Sequence, residues 1–414
     1  MSRISIKEAQ LVKKIKDVVA CLQKESHSVQ VKKTEDCFTV LTSVNTHTLN
    51  EHLLDYSESI VIEKWTAEEK PTVTLEFVTR QFLQAKTLLS AAQIADLCSQ
   101  LPKKWSVYAP MVLFGTGSYD LKNWQALFAQ VDSLAYFEAI APLFQGQITH
   151  FAINRPIVEE DIMRRPFNLI PLYGDFGPKP CHQSYSSPTQ NDLEQGFWCH
   201  TIQNRIYQTW APRYTMFSRG NIREKKRLLQ EYPDLQSTMV VDLYAGIGYF
   251  TLSYLANGAT LFCWEINRWS IEGLVRGLSK NKHKYRLISR SESISEDMIL
   301  QDMKNGVRAF VFFESNEYAF ERLECLSRIP LSHINLGLLP TLKPSWPIAR
   351  RLAQKSACNT KVHVHENIHV QEFDALTNEV SAYFDGSSHL EKVKTFAPDV
   401  WHVVVDVETT CGNN

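Results

Sequence analysis

The sequence contains no C-x-x-C pair, although nine cysteines are scattered along it, at positions 21, 37, 98, 181, 199, 263, 325, 358 and 411. Such spacing fits neither a disulfide framework nor a cysteine-rich zinc module. Reduced thiols in a cytosolic compartment are expected, and no metal. No stretch approaches the ~18 consecutive apolar residues of a membrane span, and the opening Met-Ser-Arg-Ile-Ser-Ile-Lys lacks the apolar core of an export signal, so no membrane association is expected. Excess charge is also missing, with a net value of −1, and hydrophobic and charged residues at 44% and 21% exclude a disordered or fibrous chain.

The near-neutral total conceals an uneven distribution. Residues 200–290 hold fourteen Lys/Arg against six Asp/Glu, a local net charge of +8. A solvated face and a docking surface for a polyanion both account for such a cluster.

A chain of 414 residues exceeds what one core usually serves. Leu11, Val12, Ile15, Val18, Val19 and Leu22 recur at helical spacing and predict an amphipathic helix over 6–22. Short β-rich pieces such as Thr72–Val78 then alternate with helical ones around Leu83–Leu97, which makes residues 1–110 an α+β domain. An intermediate segment, 111–200, is assigned to substrate binding, with a linker near 178–192 where Pro, Ser, Gln and Asn collect. From 201 to 414, short apolar runs alternate with longer amphipathic ones. Strands are expected at Met239–Leu243, Leu261–Glu265, Ala309–Phe313, Ile334–Leu338, Lys361–Val364 and Trp401–Val407, the rhythm of a doubly wound α/β sheet.

The first of these strands runs into Asp242-Leu-Tyr-Ala-Gly246-Ile-Gly248-Tyr-Phe250. Two glycines in a strand-to-helix turn let backbone approach a ligand closely. A dinucleotide fold wants a third glycine at position 251, where Thr stands. Glu265 closes the next strand 23 residues after Asp242, placed to accept hydrogen bonds from both hydroxyls of a ribose. Together these residues sign a class I S-adenosylmethionine-binding, Rossmann-like domain. Ser315 and Asn316, after the third strand, offer short polar side chains where an adenine would lie. Asn335-Leu-Gly-Leu-Leu-Pro340 ends the fourth strand at the carboxyl edge of the sheet, where the reacting group belongs.

Upstream, Met216-Phe-Ser-Arg-Gly-Asn-Ile-Arg-Glu-Lys-Lys-Arg227 reads as a turn feeding a basic helix capped by Ser218 or Asn221. Trp198, Trp210, Tyr214, Phe217, Tyr249, Trp264, Trp269 and Trp346 interleave with the basic residues. Aromatics stack on unpaired bases, but most of these are expected in the core. His363 and His365 share one face of a strand; with no third ligand in sequence, packing or hydrogen bonding is the expected role.

Five stretches together resemble the aminocarboxypropyltransferases of wybutosine synthesis. They are Asn168-Leu-Ile-Pro-Leu-Tyr-Gly-Asp-Phe, Thr209-Trp-Ala-Pro-Arg-Tyr-Thr-Met-Phe-Ser-Arg-Gly-Asn-Ile-Arg-Glu-Lys, the Asp242–Phe250 turn, Asn335-Leu-Gly-Leu-Leu-Pro and His363-Val-His-Glu-Asn. The likeness spans roughly residues 150–410. It implies transfer of the 3-amino-3-carboxypropyl chain of S-adenosylmethionine to carbon 7 of 4-demethylwyosine, in the anticodon loop of phenylalanine tRNA. It further implies cofactor contacts from Ser218, Lys225, Glu265, Ser315 and Asn316, with Ser315 standing where relatives commonly carry Asp; the glycine turn itself adds Asp242, Gly246 and Gly248 as cofactor-binding candidates. Arg219, Asn221, Glu224, Asn335 and Pro340 are expected to face the substrate. No catalytic residue is assigned, because an electron-rich ring carbon attacking an activated sulfonium needs mainly positioning. The alternatives are a tRNA guanine-37 N1-methyltransferase, against which the missing Asn-Pro-Pro-aromatic signature speaks, and a non-catalytic tRNA-binding subunit, against which intact Gly246, Gly248 and Glu265 speak.

Overall fold

A computed structural model describes residues 2–22, 31–33, 37–64, 73–156, 161, 165–327, 329–339 and 342–410. It divides into two compact units, Met1–Thr74 and Leu75–Asn414. In the first, four antiparallel strands lie in the order Val31–Lys33, Phe38–Thr42, Ser2–Ile6, Ile60–Lys64. The helix Leu11–Leu22 buries Ile15 and Val19 in a core with Ile4, Ile6, Val40 and Leu49, so the apolar stripe read from the sequence is the buried one.

The second unit begins with the helices Leu75–Lys86 and Ala91–Ser99. Thr72–Val78, expected as a strand, therefore yields a helix from Leu75 onward, with Thr72 outside the described residues. The apolar side chains of this segment match a helical stripe, in which Leu75, Thr79 and Leu83 are buried. A mixed sheet follows, ordered Trp105–Tyr108, Met111–Phe114, His150–Ile153, Ile170–Tyr173. Its first two strands form an antiparallel hairpin, so a boundary at 110 cuts through a paired element. The expected linker near 178–192 instead carries the short helices His182–Ser186 and Gln190–Gln195. A reciprocal Thr189–Asp192 capping box starts the second, and Leu193 is fully buried in it. Next comes a ribbon of Cys199–Gln203 and Ile206–Trp210, whose turn residues Asn204 and Arg205 both have positive φ, as a tight two-residue hairpin turn requires.

The C-terminal sheet has eight strands. From edge to edge they are Lys284–Ser289, Val307–Phe313, Thr260–Glu265, Met239–Asp242, Leu331–Leu336, Thr360–His369, Val400–Thr409 and Gly386–Ala397. Only Val400–Thr409 runs against the others. Alternate residues of Thr260–Glu265 pack into separate cores: Phe262 and Trp264 stack on Phe310 and Phe312 on one face, while Leu261 and Cys263 meet Leu252, Leu255 and Leu274 on the other. A strand buried on both faces reads as an unbroken apolar run, which is why the central strands were visible in the sequence. Two edge strands, Lys284–Ser289 and Gly386–Ala397, are not among the six strands set out from the sequence. The first is an addition between the second and third expected strands and accounts for the long stretch separating them.

Strand order reverses at Met239–Asp242, whose neighbours are Thr260–Glu265 on one side and Leu331–Leu336 on the other. Asp242 lies directly beside Asn335 at the carboxyl ends of the strands. Open α/β sheets bind ligands at such a crevice.

Candidate functional site

The glycine turn after Met239–Asp242 is held from below by Asp242. This carboxylate is fully buried; Oδ2 accepts from Thr251 Oγ1 at 2.7 Å, and Oδ1 accepts from Asn335 Nδ2 at 3.2 Å and the Tyr244 N–H at 3.3 Å. Burial pushes its carboxyl above the ordinary range, against these three donors. Thr251, which stands where a dinucleotide fold carries glycine, is thus a bonding partner of the turn. Gly246 and Gly248 both adopt positive φ, and a Cβ on Gly248 would lie 2.8 Å from Leu274 Cδ1.

Glu265 clasps the same turn from the next strand. Its Oε2 accepts from the Gly246 N–H at 2.9 Å, while Oε1 accepts from the N–H groups of Ile266 and Asn267 at 2.9 and 2.7 Å. Burial raises this carboxyl against the three backbone donors. Asn316 Nδ2 donates to Leu243 O at 2.8 Å, which brings the predicted Ser315–Asn316 pair against the glycine turn. Ser315 Oγ accepts from the Glu317 N–H and starts a short 3₁₀ turn.

The Phe217-Ser-Arg-Gly-Asn turn packs on the other side of the glycine turn. Tyr249 donates its hydroxyl to Met216 O, and Phe217 lies between Trp210, stacked at 4.2 Å, and Tyr249 at 6.0 Å. Lys225, in the helix Ile222–Glu231, is buried above the rings of Phe217 and Tyr249, 4.7 and 5.4 Å from their centroids. Its Nζ donates to Gln208 Oε1 at 2.6 Å and Gln203 Oε1 at 3.1 Å, and Gln208 Nε2 donates onward to Gly248 O at 3.0 Å. Desolvation brings this lysine down to about 7. Two acceptors suffice for a neutral amine, so protonation would add a third donor with no partner among these bonds.

Neither Ser218 nor Asn221 caps the helix with its side chain. Instead Ser218 Oγ donates to Asn221 Oδ1 at 3.1 Å and accepts from Lys394 Nζ at 3.2 Å. Of the residues expected to face substrate, Arg219 is exposed and reaches Ser106 Oγ at 3.3 Å. Asn335 is fully buried, with an amide oxygen that has no partner among the described residues. Glu224 is buried, and both its oxygens accept from Arg227, at 2.7 and 2.8 Å. Pro340 lies outside the described residues.

Asp406, Lys394, Gln203 and Gln208 were not singled out in the sequence, and Arg227 only as part of the basic helix. Arg227 bridges Glu224 to Asp406, at 2.6 Å, and Asp406 bonds His363 Nδ1 at 2.6 Å. His363 in turn meets His333 at 2.9 Å, which joins that pair to the network, while His365 and His402 meet each other at 3.0 Å as a separate pair. Burial would raise the Asp406 carboxyl, but His363 and Arg227 hold it well below the usual carboxylate range. Among the described residues no group of three or more His, Cys, Asp or Glu is placed to hold a metal, and no helix is long and apolar enough to cross a membrane.

Comparison with known proteins gives a consistent set. No protein-family model matches the chain. It is 39% identical over 369 residues to tRNA wybutosine-synthesizing protein 2 of Saccharomyces cerevisiae, covering 76% of each chain. It is 36% identical over 396 residues to tRNA wybutosine-synthesizing protein 2 of Schizosaccharomyces pombe, covering 93% of this chain and 90% of that one. Among solved structures, P. horikoshii TYW2 in complex with MeSAdo has a TM-score of 0.52 at 16% identity, over 81% of this chain and 100% of that one, a likeness of fold.

The buried charge network sets a test. Arg227→Met leaves Glu224 and Asp406 buried without their cation, and is expected to destabilise the second unit by about 3–5 kcal/mol in urea unfolding. A loss below about 1 kcal/mol would mean that the network is not what fastens the helix to the sheet.

Proposed function

The chain belongs to the tRNA wybutosine-synthesizing protein 2 family, and on that premise we propose that it transfers the 3-amino-3-carboxypropyl group of S-adenosylmethionine to carbon 7 of 4-demethylwyosine at position 37 of phenylalanine tRNA. The observation that carries the site assignment is the joining of two motifs distant in sequence. The Phe217–Asn221 turn, with Lys225 behind it, and the glycine turn are clamped through Tyr249, Gln208 and Met216.

The side chains suit the parts of the donor. Asn316 uses its amide N–H on Leu243, which leaves the amide oxygen for the exocyclic amine of adenine. Glu265 has Oε1 filled by two backbone donors and one acceptor position open on Oε2. It therefore takes one ribose hydroxyl, where two were expected from sequence. Ser218 and Lys225 lie on the remaining side and suit the amino-acid end, where the third N–H of a protonated Lys225 meets the carboxylate. Asn335 Oδ1, buried and without a partner among the described residues, is an acceptor for an N–H of the base.

The sulfonium carries three electrophilic carbons, and the one in line with the nucleophile at near-attack distance is transferred. Anchoring the carboxylate at Lys225 and the ribose at Glu265 fixes the donor at two ends and so selects the carbon presented to the base. The ring carbon forms a bond to the aminocarboxypropyl carbon as the carbon–sulfur bond breaks. Its electron pair stays on sulfur, methylthioadenosine leaves, and the ring proton passes to solvent. Chromatography of the reaction with precursor-bearing tRNA is expected to give methylthioadenosine; S-adenosylhomocysteine would mean methyl transfer and refute the reading.

The Lys225 assignment has a pH signature. In the free protein the amine titrates near 7, and a bound carboxylate raises it. The ion pair is then fully available below about 7 and is lost as pH rises. The dissociation constant of S-adenosylmethionine is expected to increase by up to tenfold per pH unit above 7, with uptake of about one proton on binding at pH 8 in paired calorimetry buffers. Lys225→Gln should remove this slope. A pH-independent affinity in the unaltered protein would take Lys225 out of the carboxylate site.

A further inference from the structure

Beside the Phe217–Asn221 turn, and outside the clamped site, lies an open groove of about 550 Å³. Its walls are the edge strand Trp105–Tyr108, the loop around Leu143–Gly146 and the ribbon strand Cys199–Gln203. Three apolar side chains on its walls are exposed: Trp105 at 39%, Val107 at 37% and Ile202 at 67%. Trp105 is braced edge-on by Phe144 at 5.5 Å, which fixes the indole without covering both its faces. The ribbon is tied to the hairpin by the His200 N–H donating to Ala109 O at 2.8 Å, so the groove is built on two paired strand elements.

Its charge is of one sign. The three segments that form it, 100–109, 141–147 and 199–207, contain no Asp or Glu, and they contribute Lys103, Lys104 and Arg205. Lys280 is close enough to His200 to disfavour its protonation, and Arg219 reaches Ser106 across one end. An exposed aromatic ring on segments whose charged residues are all basic is the arrangement that binds an unpaired nucleotide: the ring stacks on the base and the cations hold the phosphates. The edge strand that walls the groove also packs against the candidate site. Tyr108, at the end of its edge strand, packs on Trp210 at 5.0 Å and on Phe217 at 5.5 Å, next to Ser218.

We propose that this groove holds an unpaired nucleotide of the tRNA substrate adjacent to the one being modified, with its base stacked on Trp105. The inference rests on the tRNA-modifying reading above and names a surface that reading left open. A neighbour held here fixes the strand on one side of the target and positions the target base over Asn335.

Trp105→Ala is expected to weaken tRNA binding about tenfold, measured by filter binding with precursor-bearing tRNA and as a rise in KM with kcat little changed. Trp105→Phe, which keeps a stacking ring, should recover most of the loss. Ile202→Glu alters a side chain that is largely in solvent, so folding is not at stake, and the added negative charge should also raise the tRNA KM several-fold. The double variant Lys103→Ala with Lys104→Ala should lower the salt dependence of tRNA binding. In every variant the affinity for S-adenosylmethionine alone should stay unchanged. Unaltered tRNA affinity in both Trp105→Ala and Ile202→Glu overturns the proposal, and the groove would then serve another molecule. Failure of the unaltered protein to turn over is a separate outcome that would sink the proposed reaction, while the binding comparison still reads the groove.

Discussion

One buried carboxylate holds the candidate site in shape. Asp242 is out of contact with water, and an ion there is tolerated only when its oxygens are hydrogen-bonded. Its three donors come from three different places: Thr251 from the helix after the glycine turn, Tyr244 from the turn itself, and Asn335 from the neighbouring strand on the far side of the strand-order switch. Satisfying the charge therefore fixes the turn, the helix start and the crevice together. Glu265 completes the clasp from the next strand by accepting from Gly246. The acidic residues of this region are structural first, and what ligand-binding capacity they keep is whatever acceptor position the backbone leaves unfilled.

A second buried charge sets where the flanking turn sits. Arg227 ties the helix Ile222–Glu231 to Val400–Thr409 through Glu224 and Asp406. That helix carries Lys225 on the side facing Phe217 and Tyr249. Breaking the arginine bridge would free the helix that positions the lysine, so the network acts on the site without touching a ligand. The same logic explains Glu224: in sequence it looks available, but in the fold it neutralises its neighbour three residues on.

What was legible in the sequence follows from burial. Val240, Val241, Leu261, Phe262 and Phe310 lie in strands covered on both faces, and their apolar runs announce the doubly wound sheet. Gly-Ser-Ser-His-Leu-Glu-Lys-Val-Lys-Thr-Phe-Ala, by contrast, forms an edge strand whose charges guard an open side, so its pattern looks like surface. Glycines and acids of the glycine turn were readable because their spacing is local. The partners that tune them were not: Gln208 reaches Lys225 across 17 residues and Asp406 reaches Arg227 across 179. Long-range contacts leave no periodicity to read. The polar stretch 178–192 looked like a linker because short capped helices bury few residues, here chiefly Leu193 and Ser184.

The central claim is that two anchored ends of the donor decide which of three carbons leaves sulfur. The most direct measurement supplies precursor-bearing phenylalanine tRNA with S-adenosylmethionine carrying label either in the methyl carbon or in the aminocarboxypropyl carbons. Label is expected in the tRNA only from the aminocarboxypropyl carbons, whereas methyl label entering the tRNA would contradict the account.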